Sequence, residues 1–382
     1  MAKKEQNAGQ SSDFNLRKLS PAELKDNLLC TIQGAGNIAI FGRRGTGKTQ
    51  ISKAAIKEAG VKEIYLNLST LERVDLGGYP DMMSAKAGVQ AANGGRYLDF
   101  ILPWFYKALC EGDKPVALLL DEVDKAQPDL WAPLLEITQF RTVNGRPLPN
   151  LKSCIMTGNL TAEGGQRPSL PLLDRAEKYL VESDHRQWLE WAGKSREIHP
   201  AVTAYINDHP EHLYGEVDEG DAYASASPRG WHNASMLLKC GEENNWRVDV
   251  LVTKVSGCIG KQIGMQFQHY YDHYQVLLPV VDKIFKGQVV QKEFDKMERT
   301  KQIVCAMIAC ARLGTKLDEC KEGEYPESAG VIAKFLLGVE SEIALIAARS
   351  QINLDRIIQH GLDEEPNWSK LLDQINNRVR GH

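Results

Sequence analysis

Gly42-Arg43-Arg44-Gly45-Thr46-Gly47-Lys48-Thr49 reads G-x-x-x-x-G-K-T, the spacing of a phosphate-binding loop. An apolar run, Asn37-Ile38-Ala39-Ile40-Phe41, precedes it. Gln50-Ile51-Ser52-Lys53-Ala54-Ala55-Ile56 follows, with apolar residues near helical spacing. The pattern predicts a strand, a glycine-rich loop and a helix, the context in which backbone N–H groups and a helix N-terminus converge on an anion. In such a loop Lys48 reaches the outer phosphates of a nucleotide and Thr49 offers a hydroxyl to Mg²⁺. The competing reading is a chance glycine-rich turn, so the rest of the chain must supply the other parts of a nucleotide site.

It does so in order. Pro115-Val116-Ala117-Leu118-Leu119-Leu120 is continuously apolar, as a strand buried on both faces of a parallel sheet requires, and it ends in Asp121-Glu122-Val123-Asp124. Carboxylates at the carboxyl end of a central strand sit where open α/β sheets bind ligands. Asp121 suits the Mg²⁺ shell, and Glu122 suits orienting or deprotonating an attacking water. An acidic turn that merely closes a strand is the alternative. Lys152-Ser153-Cys154-Ile155-Met156-Thr157-Gly158-Asn159 reads as another buried strand, ending on a residue able to hold the water or the outermost phosphate.

Around these parts, Ser20-Pro21-Ala22-Glu23 is a capping-box helix start, and the helix is expected to reach about Thr31. Lys62–Leu68 alternates as a second strand. Tyr97 to Cys110 is aromatic and apolar and turns helical toward its end, whereas Ala85 to Arg96 is turn-like. Gln127 to Phe140 predicts an amphipathic helix, and Asn144-Gly145 a hairpin turn. Lys178–Glu182 can close the sheet. Repeated strand and helix units predict a parallel α/β domain with helices on both faces.

At 382 residues the chain has room for two or three domains. Its net charge of −4 gives no general pull toward nucleic acid or anionic membrane, which leaves a local basic patch open. No apolar run approaches the roughly 20 residues that span a bilayer, and the start has no apolar core of a secretory signal. The eight cysteines form no C-x-x-C pair and read as reduced core residues of a cytoplasmic protein. His269 and His273 would share a helix face, but the glutamate of H-E-x-x-H is missing, so they read as packing and surface residues.

The run Leu118-Leu119-Leu120-Asp121-Glu122-Val123-Asp124-Lys125-Ala126, continuing through Leu134-Leu135-Glu136 to Thr142-Val143-Asn144-Gly145, resembles the AAA+ ATPases, and more narrowly their MoxR-like branch. The resemblance covers about residues 20 to 240. It implies a P-loop NTPase core with a parallel sheet, then an all-α lid and a C-terminal helical region. It also implies a ring, usually hexameric, with ATP bound between subunits. Gly42 to Thr49 then corresponds to Walker A, Leu118 to Glu122 to Walker B, and Asn159 to sensor 1. Arg175, in Leu-Leu-Asp-Arg, looks like the arginine finger offered to a neighbour's ATP, and Arg229, in Ser227-Pro228-Arg229, looks like sensor 2. A surface salt bridge is the plain alternative for either arginine. The domains expected are a flexible arm over 1–18, the nucleotide-binding domain over 19–184, the lid over 185–287 and a helical extension over 288–382.

Two departures stand out. Ala176 occupies a position where the family usually has Phe, and Arg43-Arg44 stand where smaller or apolar residues are common. Tyr79, beside Gly77-Gly78, and the hairpin at Asn144 are both pore-loop candidates, and a packed loop aromatic explains Tyr79 equally well. Beyond His185, Trp188, Trp191 and Tyr205 fall at near-helical spacing, as core residues do. Glu216 to Ala226 is an acidic loop. Leu277-Leu278-Pro279 is expected to kink or end a helix, and Cys305–Leu313, Gly330–Ala348 and Asn353–Gly361 to form further helices. The resemblance implies remodelling of a protein partner, such as one bearing a von Willebrand A domain. A nucleic-acid motor, with Arg141 and Arg146 lining a pore, and a nucleotide-dependent assembly switch with little turnover are the rivals.

Overall fold

The computed structural model describes residues 16–81, 100–160, 167–182, 184–215, 226–352 and 354–380. The expected arm up to residue 15, the 85–96 segment and the acidic loop over 216–225 lie outside these residues. The chain divides into two compact units, Met1–Ser183 and Asp184–His382.

Among the described residues the first unit has ten strands: β1 (Arg17–Leu19), β2 (Asn37–Gly42), β3 (Lys62–Asn67), β4 (Tyr79–Pro80), β5 (Phe100–Ile101), β6 (Val116–Asp121), β7 (Thr142–Val143), β8 (Arg146–Pro147), β9 (Leu151–Gly158) and β10 (Glu177–Val181). Six form one sheet in the order β1-β10-β2-β9-β6-β3, with every neighbouring pair parallel. Strand alternation sorts the apolar runs onto its two faces. Ile38, Ile40, Ala117, Leu119 and Ile155 pack with Leu24, Leu28 and Ile56 on one side. Ala39, Phe41, Leu118, Leu120, Cys154 and Met156 pack with Leu109, Leu134 and Ile137 on the other. Both faces being covered is why these strands are continuously apolar rather than alternating. The architecture is α/β, a parallel sheet flanked by helices, followed by a helical C-terminal region.

Local chemistry sets the element ends. Ser20 Oγ accepts from the Glu23 N–H while Glu23 reaches back to the Ser20 N–H at 2.8 Å, the reciprocal cap read from the sequence. That helix runs Pro21–Gln33. In the β7–β8 turn Asn144 and Gly145 have φ of 46° and 75°, the left-handed pair that a two-residue hairpin requires. Two expectations are corrected here. β10 does not close the sheet: β1 lies outside it, and Arg17 and Lys18 belong to this strand rather than to an arm. Three residues are too few for a period to show. The helix expected from Gln127 begins as a 3₁₀ turn, Pro128–Leu130, and becomes α-helical only over Trp131–Phe140.

The second unit, by itself, is helical. Its helices span His185–Ser195, Pro200–Asp208, Pro228–Glu243, Val248–Ile259, Lys261–Phe285, Gln291–Phe294, Arg299–Asp318, Ser328–Leu337, Ser341–Gln351, Leu354–Gln359 and Pro366–Arg380. One apolar core runs through it from Trp188 to Leu371, so residue 287 marks no break in packing. Pro279 neither ends nor divides its helix, which continues to Phe285 because Leu277, Val280, Val281 and Ile284 are all anchored in that core. The helix expected over 330–348 is two, separated at Gly338-Val339-Glu340. Trp188 and Tyr205 are core residues as expected, whereas Trp191 is 43% exposed. All eight cysteines are free. Among the described residues no helix is long and apolar enough to cross a membrane.

Candidate functional site

The loop Gly42–Thr49 leaves the carboxyl end of β2 and runs directly into the helix Lys48–Glu58. Gly45 and Gly47 adopt φ of 79° and 82°, backbone that L side chains rarely tolerate, so glycine is what lets the chain turn there. Gly42 is needed for closeness instead: a Cβ on it would lie 2.7 Å from the Val181 carbonyl oxygen of the adjoining strand. Thr46 steadies the turn by donating its hydroxyl to the Arg43 carbonyl at 2.8 Å. Arg43 and Arg44 are exposed.

Lys48 is buried at 8% exposure, unusual for a lysine. Its ammonium donates to the Gly42 and Arg43 carbonyls at 2.9 Å each and to Asn159 Oδ1 at 3.2 Å. The last bond joins the phosphate loop to the residue after β9, across 111 positions of sequence. It exists because β9 is the neighbour of β2 in the sheet, so both strands deliver their carboxyl ends to one place.

Asp121 ends β6, on the other side of β9, and accepts hydrogen bonds from several elements at once. Thr49 Oγ1 lies 3.1 and 3.3 Å from its two oxygens, Tyr65 Oη donates at 3.0 Å, the Glu122 N–H donates at 3.1 Å, and the Thr157 hydroxyl makes a further short bond. Burial and then the adjacent Asp121 carboxylate push the Tyr65 phenol up to about 12, so it remains a donor throughout the ordinary pH range. Sequence reading passed over Tyr65 and Thr157. Their signal is one of register: β3 pairs with β6 so that Asn67 faces Asp121, which sets Tyr65 two residues back along the same edge.

Glu122 differs sharply from its neighbour. It holds φ 57°, a left-handed conformation that costs a non-glycine residue roughly 1–3 kcal/mol and recurs at functional sites. Its carboxylate has a loose contact with Lys125 at 3.8 Å, both side chains being substantially exposed. Asp124, by contrast, is 1% exposed, and neither carboxylate oxygen has a hydrogen-bond partner among the described residues. Gly158 passes close beside it, and a Cβ there would come within 3.1 Å of its Oδ1.

Arg175 is half-buried, with its guanidinium donating to Gln139 Oε1 at 3.1 Å and to the Pro171 carbonyl at 2.9 Å, neither of which belongs to the phosphate loop. Its own carbonyl accepts from Asn37 at the start of β2. Arg229 belongs to the second unit, exposed in the first turn of the helix Pro228–Glu243, which Ser227 caps through its hydroxyl to the Gly230 N–H at 3.1 Å. A cation there opposes the positive end of the helix. Tyr79 is 55% exposed on the small β4–β5 ribbon. Asn144 at the β7–β8 turn donates to the Gly77 carbonyl beside that ribbon. The structure therefore brings Lys48, Thr49, Asp121 and Asn159 together, and puts Arg175 on the same unit in contacts of its own.

No protein-family model matches the chain, and no curated protein does. Solved structures similar to it include the Thermotoga maritima RuvB Holliday junction branch migration motor, at 12% identity and TM-score 0.34, over 68% of this chain and 75% of that one. NtrX from Brucella abortus in complex with ADP is similar at 15% identity and TM-score 0.36, over 58% of this chain and 49% of that one, so about half of NtrX is spanned. At these scores the shared geometry is loose, and the chemistry rests on the residues of this chain.

Proposed function

We propose that the chain is an ATP-hydrolysing AAA+ ring protein of the MoxR-like branch that remodels a protein partner. One observation carries the reading: the Lys48–Asn159 bond at 3.2 Å and the Thr49–Asp121 bond at 3.1 Å gather the carboxyl end of the phosphate loop, an acidic strand end and a polar strand end at one point. A hydroxyl beside a carboxylate is a hard-oxygen donor set that fits Mg²⁺, which when bound neutralises phosphate charge. Lys48 faces the outer phosphates, and the backbone N–H groups of the loop cradle them. Glu122, unencumbered next to a fully bonded Asp121, takes the proton of the attacking water. Asn159 holds that water or the γ-phosphate. Arg175 serves the nucleotide of the adjacent subunit in a ring, usually hexameric in the branch, and Arg229 serves its own subunit's nucleotide or a neighbour's. A partner bearing a von Willebrand A domain fits this role.

The nucleic-acid alternative loses support from Arg141, whose guanidinium donates to the Ala35 carbonyl at 3.0 Å and to Cys154 Sγ at 3.3 Å instead of standing free on the hairpin. The test is ATP turnover by the wild type, Lys48→Ala and Glu122→Gln, with and without Mg²⁺. Hydrolysis should need Mg²⁺ and fall in both variants, with Glu122→Gln still binding ATP. Salt-sensitive stimulation by DNA would turn the assignment toward a nucleic-acid motor. Tight ATP binding with no turnover, even with candidate partners, would make the chain a switch.

A further inference from the structure

The second unit holds a cluster that the nucleotide reading leaves unused. His209, Glu211 and His212 meet at the end of the helix Pro200–Asp208 and in the 3₁₀ turn Pro210–Leu213. Glu211 Oε1 lies 3.6 Å from His209 Nδ1 and 3.8 Å from His212 Nε2. One donor atom from each residue falls within 4.8 Å of the other two. A tetrahedral transition-metal ion with bonds of about 2.0–2.1 Å spaces its donors roughly 3.3–3.5 Å apart, so seating one asks a few tenths of an ångström of the two Glu211 distances and up to about 1.5 Å of the distance between the two imidazoles.

The cluster is held from behind. His212 Nδ1 is bonded to the hydroxyl of the fully buried Tyr205 at 2.8 Å, which turns Nε2 toward Glu211. A bond from the second ring nitrogen to a fixed polar group is what orients a ligating imidazole. The His212 carbonyl accepts from Trp231 Nε1 at 2.8 Å, and the His209 N–H bonds to the Tyr205 carbonyl at 2.8 Å, so main chain and ring are both constrained. The two imidazoles lie nearly parallel, 5.4 Å apart with 21° between their planes. We propose that His209 Nδ1, Glu211 and His212 Nε2 form a binding site for a divalent transition-metal ion, with at least one open coordination position. Two imidazoles and one carboxylate select such an ion over Mg²⁺, which prefers oxygen alone, so this site is chemically separate from Thr49 and Asp121. The ion clamps the 3₁₀ turn to the helix before it.

The test uses the full chain, free of any polyhistidine tag and of nucleotide, stripped with EDTA and titrated with Zn²⁺ against a chromophoric chelator. Wild type should bind one equivalent, and its thermal midpoint should rise by roughly 5–10 °C at about a hundredfold excess over Kd. His209→Gln, Glu211→Gln and His212→Gln should each weaken binding at least tenfold and, at the same Zn²⁺ concentration, cut the shift by about half or more. Where His212→Gln fails to fold for loss of its bond to Tyr205, the more exposed His209 and Glu211 keep the test intact. X-ray absorption of the bound ion should show two imidazole nitrogens and oxygen. The double variant His269→Gln/His273→Gln is the control, because those rings also lie close, 4.7 Å apart on one helix. Binding that vanishes in this control, survives in His209→Gln and Glu211→Gln, or never exceeds the chelator's would overturn the assignment.

Discussion

Asp121 and Glu122 are adjacent carboxylates whose neutralisation should have very different consequences. Asp121→Asn and Glu122→Gln remove the same charge and relieve the same mutual repulsion, so those effects cancel in a comparison. Asp121 accepts from Thr49, Tyr65, Thr157 and the Glu122 N–H, whereas among the described residues the Glu122 carboxylate meets only the exposed Lys125 ammonium, at 3.8 Å. A hydrogen bond to a charged acceptor contributes about 1.5–3 kcal/mol and one to a neutral acceptor about 0.5–1.5, a difference near 1 kcal/mol per bond. The amide also turns one acceptor into a donor facing hydroxyls. Tyr65 is 38% exposed, so its share is discounted for solvent, leaving a loss of about 2–3 kcal/mol for Asp121→Asn. A shift of roughly 2–4 °C per kcal/mol for a unit of this size predicts a thermal midpoint lower by about 4–12 °C. Glu122→Gln should stay within about 0.5 kcal/mol of wild type, since exposed pairs contribute little. Differential scanning fluorimetry of the nucleotide-free chains reads both. Equal midpoints in the two variants would refute the convergence of donors on Asp121.

Packing gives a second contrast, in the helical unit. A Cβ on Gly264 would lie 2.2 Å from Ser256 Oγ and 2.8 Å from its Cα, while one on Gly257 meets nothing within 4 Å. Gly264→Ala should destabilise by about 1–3 kcal/mol through overpacking, and Gly257→Ala should be neutral or gain up to about 1 kcal/mol in helix propensity, as urea unfolding would show. A third prediction concerns acid. Burial alone would raise the Glu242 carboxyl, but bonds from His199 at 3.1 Å and Tyr271 at 2.8 Å outweigh it and hold the group below its ordinary value of 4.5. A lowered folded value stabilises above the unfolded pKa and is lost as pH falls through the folded one. Glu242→Gln should therefore be less stable than wild type near neutrality, and the gap should close as pH drops through and below about 4.5. A gap independent of pH would contradict the assignment.

What was legible in the sequence follows from how local the signal is. The phosphate loop, the capping box at Ser20 and the Asn144-Gly145 hairpin are each fixed by a few adjacent residues and a backbone requirement, and each forms as read. Continuous apolar runs announced buried parallel strands. Three-residue β1 was not legible, because a strand that short has no period and is recruited by pairing with β10. The helix does not end at Pro279, one of the two outcomes expected there, because the proline penalty is local, whereas the core contacts that offset it are distant in sequence. Tyr65 and Thr157 were passed over because their partner, Asp121, is set by sheet order and register. His209, Glu211 and His212 lie within four positions, but only the fold of the turn and Tyr205 behind it make them a cluster.

The central claim is a nucleotide site completed by a neighbouring copy, and its most direct test is ATP turnover against protein concentration, with assembly followed by mass photometry, for wild type and Arg175→Ala. Specific activity should climb as assemblies form, and Arg175→Ala should assemble yet lose about a thousandfold or more in turnover, the scale of an arginine finger. Turnover that is independent of concentration, or that survives the loss of Arg175, would contradict a shared site.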